Sequence, residues 1–549
     1  MCTVSAIYLP CSPSVKLCLP RGLSDKLGNW ELRAKIKTNF SSARRAIQRP
    51  SRSPHHGTQW LSRAERSVRR EDTDGLGLFL APAWSKIVVP LVLIVQLLIF
   101  LTSNGDTSKL EGFTRPFKGE KLAFISDFLS HEEYGGAFDG QPIADMCAGR
   151  SWNPDRIVQC DAVPEGVGTV RNGHLQCIRF AIEIGAGGLI LPEIVRRSEH
   201  NIAEAIPNAK GPLRGVGLDY FFDSNHLTST LTKFCPQMRL YPSINGLHNV
   251  PSLLTGVKVK LDQLQPPRIN ISSTVVENLD RFWEQVRTLI SKEDDGKRKP
   301  LKIQLAWSPF WYSVDHDSPE FVKSFGQLLR TRHDVRQSAG SVLYSLKTRF
   351  NLDLDPRKPP KGQTGEEVAR KVAEGRSFLG VRIRTDADAK SMKWPSYDTQ
   401  ATYFERLVGQ NQIPVTYMAQ GAAKADVRNF KANSAGFNGV VVCKEDLLTG
   451  PELETLQSLS WDQQALVDYE VMLSAGIIAG IAHSSFLWNL AIRRRVDFWG
   501  PKNQGQSKNG LVLPDGTITY QDPYSIIFGP GEGETSAVLS ESMRLAIWP

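Results

Sequence analysis

Apolar positions recur along this chain in two alternating rhythms. In NGHLQCIRFAIEIGAGGLILPEI, Leu175, Ile178 and Ile182 share one helical face, Gly185 to Gly188 closes the helix, and Leu189 to Leu191 makes a short buried strand. DRFWEQVRTLISKEDDGKRKPLKIQLAW repeats the order of helix, charged turn and strand. From near Ser341 the same order returns: SAGSVLYSLKTRF predicts a helix, FLGVRIRT a strand, TQATYFERLVGQ a helix, PVTYMAQG a strand, KADVRNFKANS a helix and GVVVCKE a strand. In the last unit the apolar strand AGIIAGIA runs into a helix opened by Ser484 or Ser485 and closed by Arg493, Arg494 and Arg495. Helices alternating with strands predict an α/β fold with parallel sheets. Two such runs of about 200 residues each are more than one open sheet needs, so two domains with a cleft between them are expected.

One segment breaks this rhythm. Ile87 to Thr102 is apolar except for Gln96, and with Ala81 to Ser85 in front it approaches the roughly 20 residues that span a bilayer. Arg63, Arg66, Arg69, Arg70 and Lys86 precede it and Asp106 is the first charge after it, which predicts a cytosolic amino terminus and a type II anchor. Charge agrees. Of the 66 Lys and Arg and 57 Asp and Glu in the 549 residues, Met1 to Lys86 holds 15 and 6, which leaves 51 of each in the rest. The folded body therefore has no net charge to draw a nucleic acid. Cys147, Cys160, Cys177 and Cys235 would lie in an oxidising lumen and are close enough in sequence for two disulfides, their pairing left open, while Cys443 reads as a buried strand residue. Asn270, in NIS, is a glycosylation acceptor in that orientation.

Candidate chemistry concentrates where strands end. In FLGVRIRTDADA, period two sends Arg382 and Arg384 from one face while Val381 and Ile383 enter the core. A strand running into His483, Ser484 and Ser485 at a helix start offers free amides, hydroxyls and a positive dipole end, which suits a phosphate. A third feature, a small-residue helix start over Asn172 to Gln176, precedes both. Open α/β sheets bind ligands at the carboxyl ends of their strands, and arginines with a helix amino terminus there suit a diphosphate.

In this order the motifs resemble the GDP-fucose protein O-fucosyltransferase and α1,6-fucosyltransferase superfamily, in a divergent fungal-type form. NGHLQCIRFAIEIGAGGLILPEI is similar to its first glycine-rich motif, YFFDSNHL to its Phe-Asp stretch, GVRIRTDAD to its His-x-Arg motif and VDYEVMLSAGIIAGIAHSSFLWNLAIRR to its closing motif. The likeness spans roughly residues 165 to 495. It implies a GT-B-like pair of Rossmann-like domains facing a cleft, with inverting transfer of fucose from GDP-fucose to a protein or glycan hydroxyl. No metal or cofactor is expected, and the setting implied is the Golgi or endoplasmic reticulum membrane. Carried over residue by residue, Arg384 holds the β-phosphate and glycosidic oxygen, Ser484, Ser485 and Phe486 meet the diphosphate and base, Asp468 lies near the guanine, and Gly173 and Gln176 belong to the first turn. Two departures stand out: Arg382 occupies the motif's histidine position, and Leu175-Gln176 replaces Asn-Gln.

The expected boundaries are a basic cytosolic tail over 1–83, the anchor over 84–103, a stem over 104–120, an N-terminal Rossmann-like domain over 121–340 and a nucleotide-sugar-binding domain over 341–549. Asp386 and Glu165 are candidate bases for the acceptor hydroxyl. Two alternatives compete. One is a non-catalytic luminal sugar-nucleotide or glycan-binding protein of the same fold; the other is a metal-dependent transferase with another donor, holding its ion on Asp386 and Asp388.

Overall fold

The computed structural model describes residues 118–549 apart from 131–136, 163–164, 198–214, 248, 261–263, 265–274, 277, 295, 297–298, 307–308, 358–363, 496–509, 515–517 and 530–534. The tail, the anchor and Asn270 lie outside the described residues. Among those described, no helix is long and apolar enough to cross a membrane.

The fold is mixed α/β with parallel sheets. The first sheet contains β1 (Asn153–Cys160), β2 (Ala186–Ile190), β3 (Arg239–Tyr241), β4 (Val257–Val259) and β5 (Leu301–Leu305), ordered β3-β2-β1-β5-β4, with every neighbouring pair parallel. The second contains β6 (Leu379–Arg382), β7 (Val415–Ala419), β8 (Val440–Val442), β9 (Ile477–Ile481), β10 (Ile518–Asp522) and β11 (Ser525–Phe528), ordered β10-β11-β9-β6-β7-β8. Only its edge pair β10–β11 is antiparallel. The interior strands β6 and β9 are apolar throughout apart from Arg382, as parallel strands covered on both faces must be.

The helix Val167–Glu183 sits at the centre of the molecule and is buried on nearly every side. Its polar residues therefore bond inward instead of marking a wet face. Arg171 donates to the carbonyls of Trp548, 2.9 Å, and Pro549, 2.6 Å; Asn172 and Gln176 donate to Ala546 O at 3.0 and 2.9 Å. Trp548 is fully buried, 4.6 Å from Phe325. The carboxyl-terminal residues thus pack into the first half of the chain, and His333–Phe350 is one continuous helix through the expected boundary at 340/341. Asp106–Pro549 forms one compact unit, with a hydrophobic core drawn from both sheets.

Three local expectations need correction. The central helix starts at Val167 behind an N-cap at Gly166, so Gly173 lies inside it and not in a turn. Gly185, at φ +60°, does end the helix region, but Gly187 and Gly188 belong to β2, where a Cβ at Gly187 would meet the Pro154 backbone at 2.5 Å. Close backbone approach, not a turn, explains those glycines. Cys443 follows β8 and is only partly buried, at the start of a short helix over Lys444–Leu447. Cys147 pairs with Cys235 and Cys160 with Cys177, the second bridge tying the end of β1 to the central helix.

Candidate functional site

The carboxyl end of β6 carries two buried positive charges close together. Arg382 is the last residue of the strand and Arg384 lies two beyond it; both are buried, at 4% and 5% exposure. The backbone of Arg384 is fixed by Gln400, whose Oε1 accepts from Arg384 N at 3.0 Å and whose Nε2 donates to Arg384 O at 2.7 Å. Gly421, at φ +136°, makes room for the arginine stem, since a Cβ there would come within 2.8 Å of Arg384 Cγ. Arg384 Nη2 donates to Asp386 Oδ1 at 3.3 Å, and the same oxygen accepts from Ala389 N at 3.0 Å at the start of the Ala387–Ser391 helix. Asp386 Oδ2 is buried and has no hydrogen-bond partner among the described residues. Asp388 lies within that short helix.

Two helix starts converge on these arginines. No side chain caps the Val167–Glu183 helix at Gly166, and a Cβ on that glycine would stand 3.1 Å from Arg197 Nη2 and 4.0 Å from Arg384 Nη1. Gly168 lets this start press on the other: a Cβ there would meet the Ser485 backbone at 2.6 Å. Thr169 Oγ1 donates to Ser485 Oγ at 2.8 Å, and Ser484 caps the Ser485–Arg495 helix by accepting from Leu487 N at 3.3 Å. Positive dipole ends and guanidinium groups are thus gathered in one place.

Arg382 carries the site's least compensated charge. Its guanidinium lies 3.7 Å from the centroid of the Phe486 ring, and its Nε and Nη1 are buried without a hydrogen-bond partner among the described residues. Burial first, then repulsion from Arg384, lowers its pKa to about 9, against the pull of Asp468 and Asp386. The neighbouring charges are matched: Arg384 with Asp386, Arg197 with Asp462 at 3.6 Å, and Lys444 with Asp468 at 2.9 Å.

The expected site residues therefore separate into two groups. Arg382, Arg384, Asp386, Ser484, Ser485 and Phe486 come together. Asp468 does not open onto the site: it is fully buried and accepts from the Tyr417 hydroxyl at 2.5 Å, Gln420 N at 2.9 Å and Lys444. Gln176 is occupied by the carbonyls of Tyr312 and Ala546, at 3.2 and 2.9 Å, and Gly173 is a mid-helix residue. Phe486 has one face under Arg382 and an edge-on contact with Tyr469, so it meets a ligand only through the arginine. Glu165 is exposed beside Gly166.

Arg197, Gly166, Gly168, Thr169, Gln400, Gly421, Trp394 and Trp461 were not singled out in the sequence. Gly166 and Gly168 carry a readable signal, two glycines spaced by one residue ahead of the helical repeat of Leu175, Ile178 and Ile182; the others are brought in by tertiary packing. A separate cavity of about 670 Å³ lies at the far end of the central helix, where Arg179 is bonded to Asp317 and Glu183. Its buried charges are already paired.

No protein-family model matches the chain, and no curated protein matches it in sequence. Among solved structures it is similar to POFUT1 in complex with GDP, at 10% identity and a TM-score of 0.33, over 69% of this chain and 100% of that one. It is also similar to a mutant of Arabidopsis thaliana FUT1 in complex with GDP, at 10% identity and a TM-score of 0.30, over 69% of this chain and 78% of that one.

Proposed function

We propose that this chain is a glycosyltransferase of GT-B-like architecture that binds a sugar nucleotide by its diphosphate and transfers the sugar, with inversion, to an acceptor hydroxyl. The observation that carries this reading is the buried guanidinium of Arg382, whose Nε and Nη1 have no hydrogen-bond partner among the described residues, set among Arg384, Arg197 and two helix amino termini at the carboxyl ends of β6 and β9. One surplus guanidinium and two helix ends of about half a charge each supply roughly two positive charges, enough for a diphosphate with one charge per phosphate. Fucose as the sugar and guanine as the base follow from the motif resemblance.

In the reaction the acceptor oxygen attacks the anomeric carbon from the face opposite the diphosphate. The carbon–oxygen bond to the β-phosphate breaks, and the nucleoside diphosphate leaves with the electron pair. Arg384 and the two helix starts stabilise the charge that grows on it. Asp386 Oδ2 receives the acceptor proton, while Oδ1 keeps Arg384 aimed.

The arginines supply the cation that a metal-dependent transferase takes from its ion, and a divalent ion beside them would be repelled unless phosphate screened it. Transfer should therefore survive excess EDTA. The full chain is to be assayed with GDP-fucose, GDP-mannose and UDP-galactose, with and without EDTA and Mn²⁺. GDP-fucose turnover indifferent to EDTA supports the reading; activity lost in EDTA and restored by Mn²⁺ would sink it.

The same reading places the protein in the Golgi or endoplasmic reticulum membrane as a single-pass type II protein with a luminal catalytic part and a glycan on Asn270. The two disulfides support an oxidising compartment. Protease added to intact microsomes should remove only the segment before the anchor. Digestion of the α/β body instead would reverse the topology.

A further inference from the structure

The cavity at the far end of the central helix is lined by none of the residues of the diphosphate cluster, and its wall has a charge of its own. Its volume, about 670 Å³, lies within the roughly 300–1,000 Å³ of small-molecule sites. Three helices supply its apolar wall: Pro142 and Met146 come from Gln141–Ala148, Leu279 and Trp283 from Leu279–Glu293, and Phe321 from Pro319–Gly326.

The arginines of the cavity are balanced, but its carboxylates are in excess. Arg150 and Arg179 both reach Glu183, at 2.9 and 2.7 Å, and Arg179 also holds Asp317 at 2.9 Å, so two cations meet two carboxylates. Three further carboxylates line the same space, Asp145, Asp280 and Glu320, and all three are exposed. None of them forms an ion pair among the described residues. Asp145 accepts a neutral hydrogen bond from Gln141 Nε2 at 2.7 Å. Asp280 and Glu320 stand in the first turns of their helices, where each helix dipole offsets about half a charge. Roughly two negative charges are left over.

We propose that this cavity binds a small linear polyamine, its ammonium groups on Asp145, Asp280 and Glu320 and its methylene spacers along the apolar wall; the inference is independent of the donor reading. Ammonium groups joined by hydrocarbon match a site where carboxylates alternate with Met146, Leu279 and Trp283, as a lysine stem does on an apolar surface. A metal ion fits less well. Among the described residues no three His, Cys, Asp or Glu side chains stand close enough together to hold one, so the carboxylates call for a cation whose charges are spread. An anion would find the helix starts already occupied: Asn278 accepts from Arg281 N at 3.0 Å, Ser318 accepts from Phe321 N at 3.3 Å, and Pro319 has no N–H. An extended peptide would seek a strand edge, and no strand lines the cavity.

The test is calorimetric titration of the full chain with spermidine at low salt, and separately with MgCl₂ and a Lys-Gly-Lys peptide. The same titrations are run on a chain carrying Asp145→Asn, Asp280→Asn and Glu320→Gln together. Saturable one-to-one binding of spermidine is expected in the wild type, weakened at least about tenfold by the triple substitution and weakened also by about 0.15 M salt. Asp145→Asn alone, which leaves both helix starts intact, should weaken it by about threefold. The unliganded triple variant should melt within about 2 °C of the wild type, since all three side chains are exposed. Absence of saturable spermidine binding, equal affinity in the triple variant, or binding of Mg²⁺ or of the peptide as tight as that of spermidine would overturn the proposal.

Discussion

Arg382→Met should unfold at a higher temperature than the wild-type chain and should bind no nucleoside diphosphate. The two effects have one cause. A guanidinium at 4% exposure, with buried Nε and Nη1 unpartnered among the described residues and Arg384 repelling it, costs stability. Methionine keeps most of the volume and the contact with Phe486 while removing the charge. Replacing poorly compensated buried charge by packed apolar groups stabilises by about 1–4 kcal/mol, so the melting temperature should rise by a few degrees.

The pH dependence follows the same sign. Burial lowers the folded pKa to about 9, whereas the unfolded chain keeps the usual higher value, so above about pH 9 the unfolded state binds the extra proton. The stability cost of Arg382 therefore fades as pH rises through 9. Diphosphate binding, which needs the charged form, weakens over the same window. A variant that melts lower, yet still binds, would make Arg382 an ordinary structural arginine.

Arg384→Ala should lose at least about 100-fold in transfer, the scale of removing one donor from a developing oxyanion. Thermal unfolding should move little, although the side chain is buried and not solvent-facing as its position at a strand end suggests. Loss of the 3.3 Å contact with Asp386 is offset by relief of repulsion with Arg382. Arg384→Lys should fail nearly as badly. An ammonium cannot hold two oxygens in a planar fork, and it would give up the stacking between Trp394 and Trp461. Lysine working at near wild-type rate would show that any cation suffices there.

The reading of sequence against structure divides along a physical line. Alternation of helices and strands was legible because each half buries apolar strands between apolar helix faces, and Arg382 and Arg384 were legible because two cations at the end of such a strand are out of place. The central helix was misjudged because it is buried all round: Arg171, Asn172 and Gln176 look like a polar face but bond to carbonyls of the distant carboxyl-terminal tail. Asp468 looked available and is not, since the groups that consume it come from elements 24 to 51 residues away. Arg197 and Trp461 could not be found by pattern, because nothing local distinguishes them from surface residues until the first half meets the second.

This cluster is proposed to seat the diphosphate of a sugar nucleotide. Calorimetric titration of the full chain with GDP in excess EDTA tests it most directly. The account predicts saturable one-to-one binding in the wild type and none in Arg382→Met. No binding of GDP by the wild type, or equal binding by the variant, would contradict it.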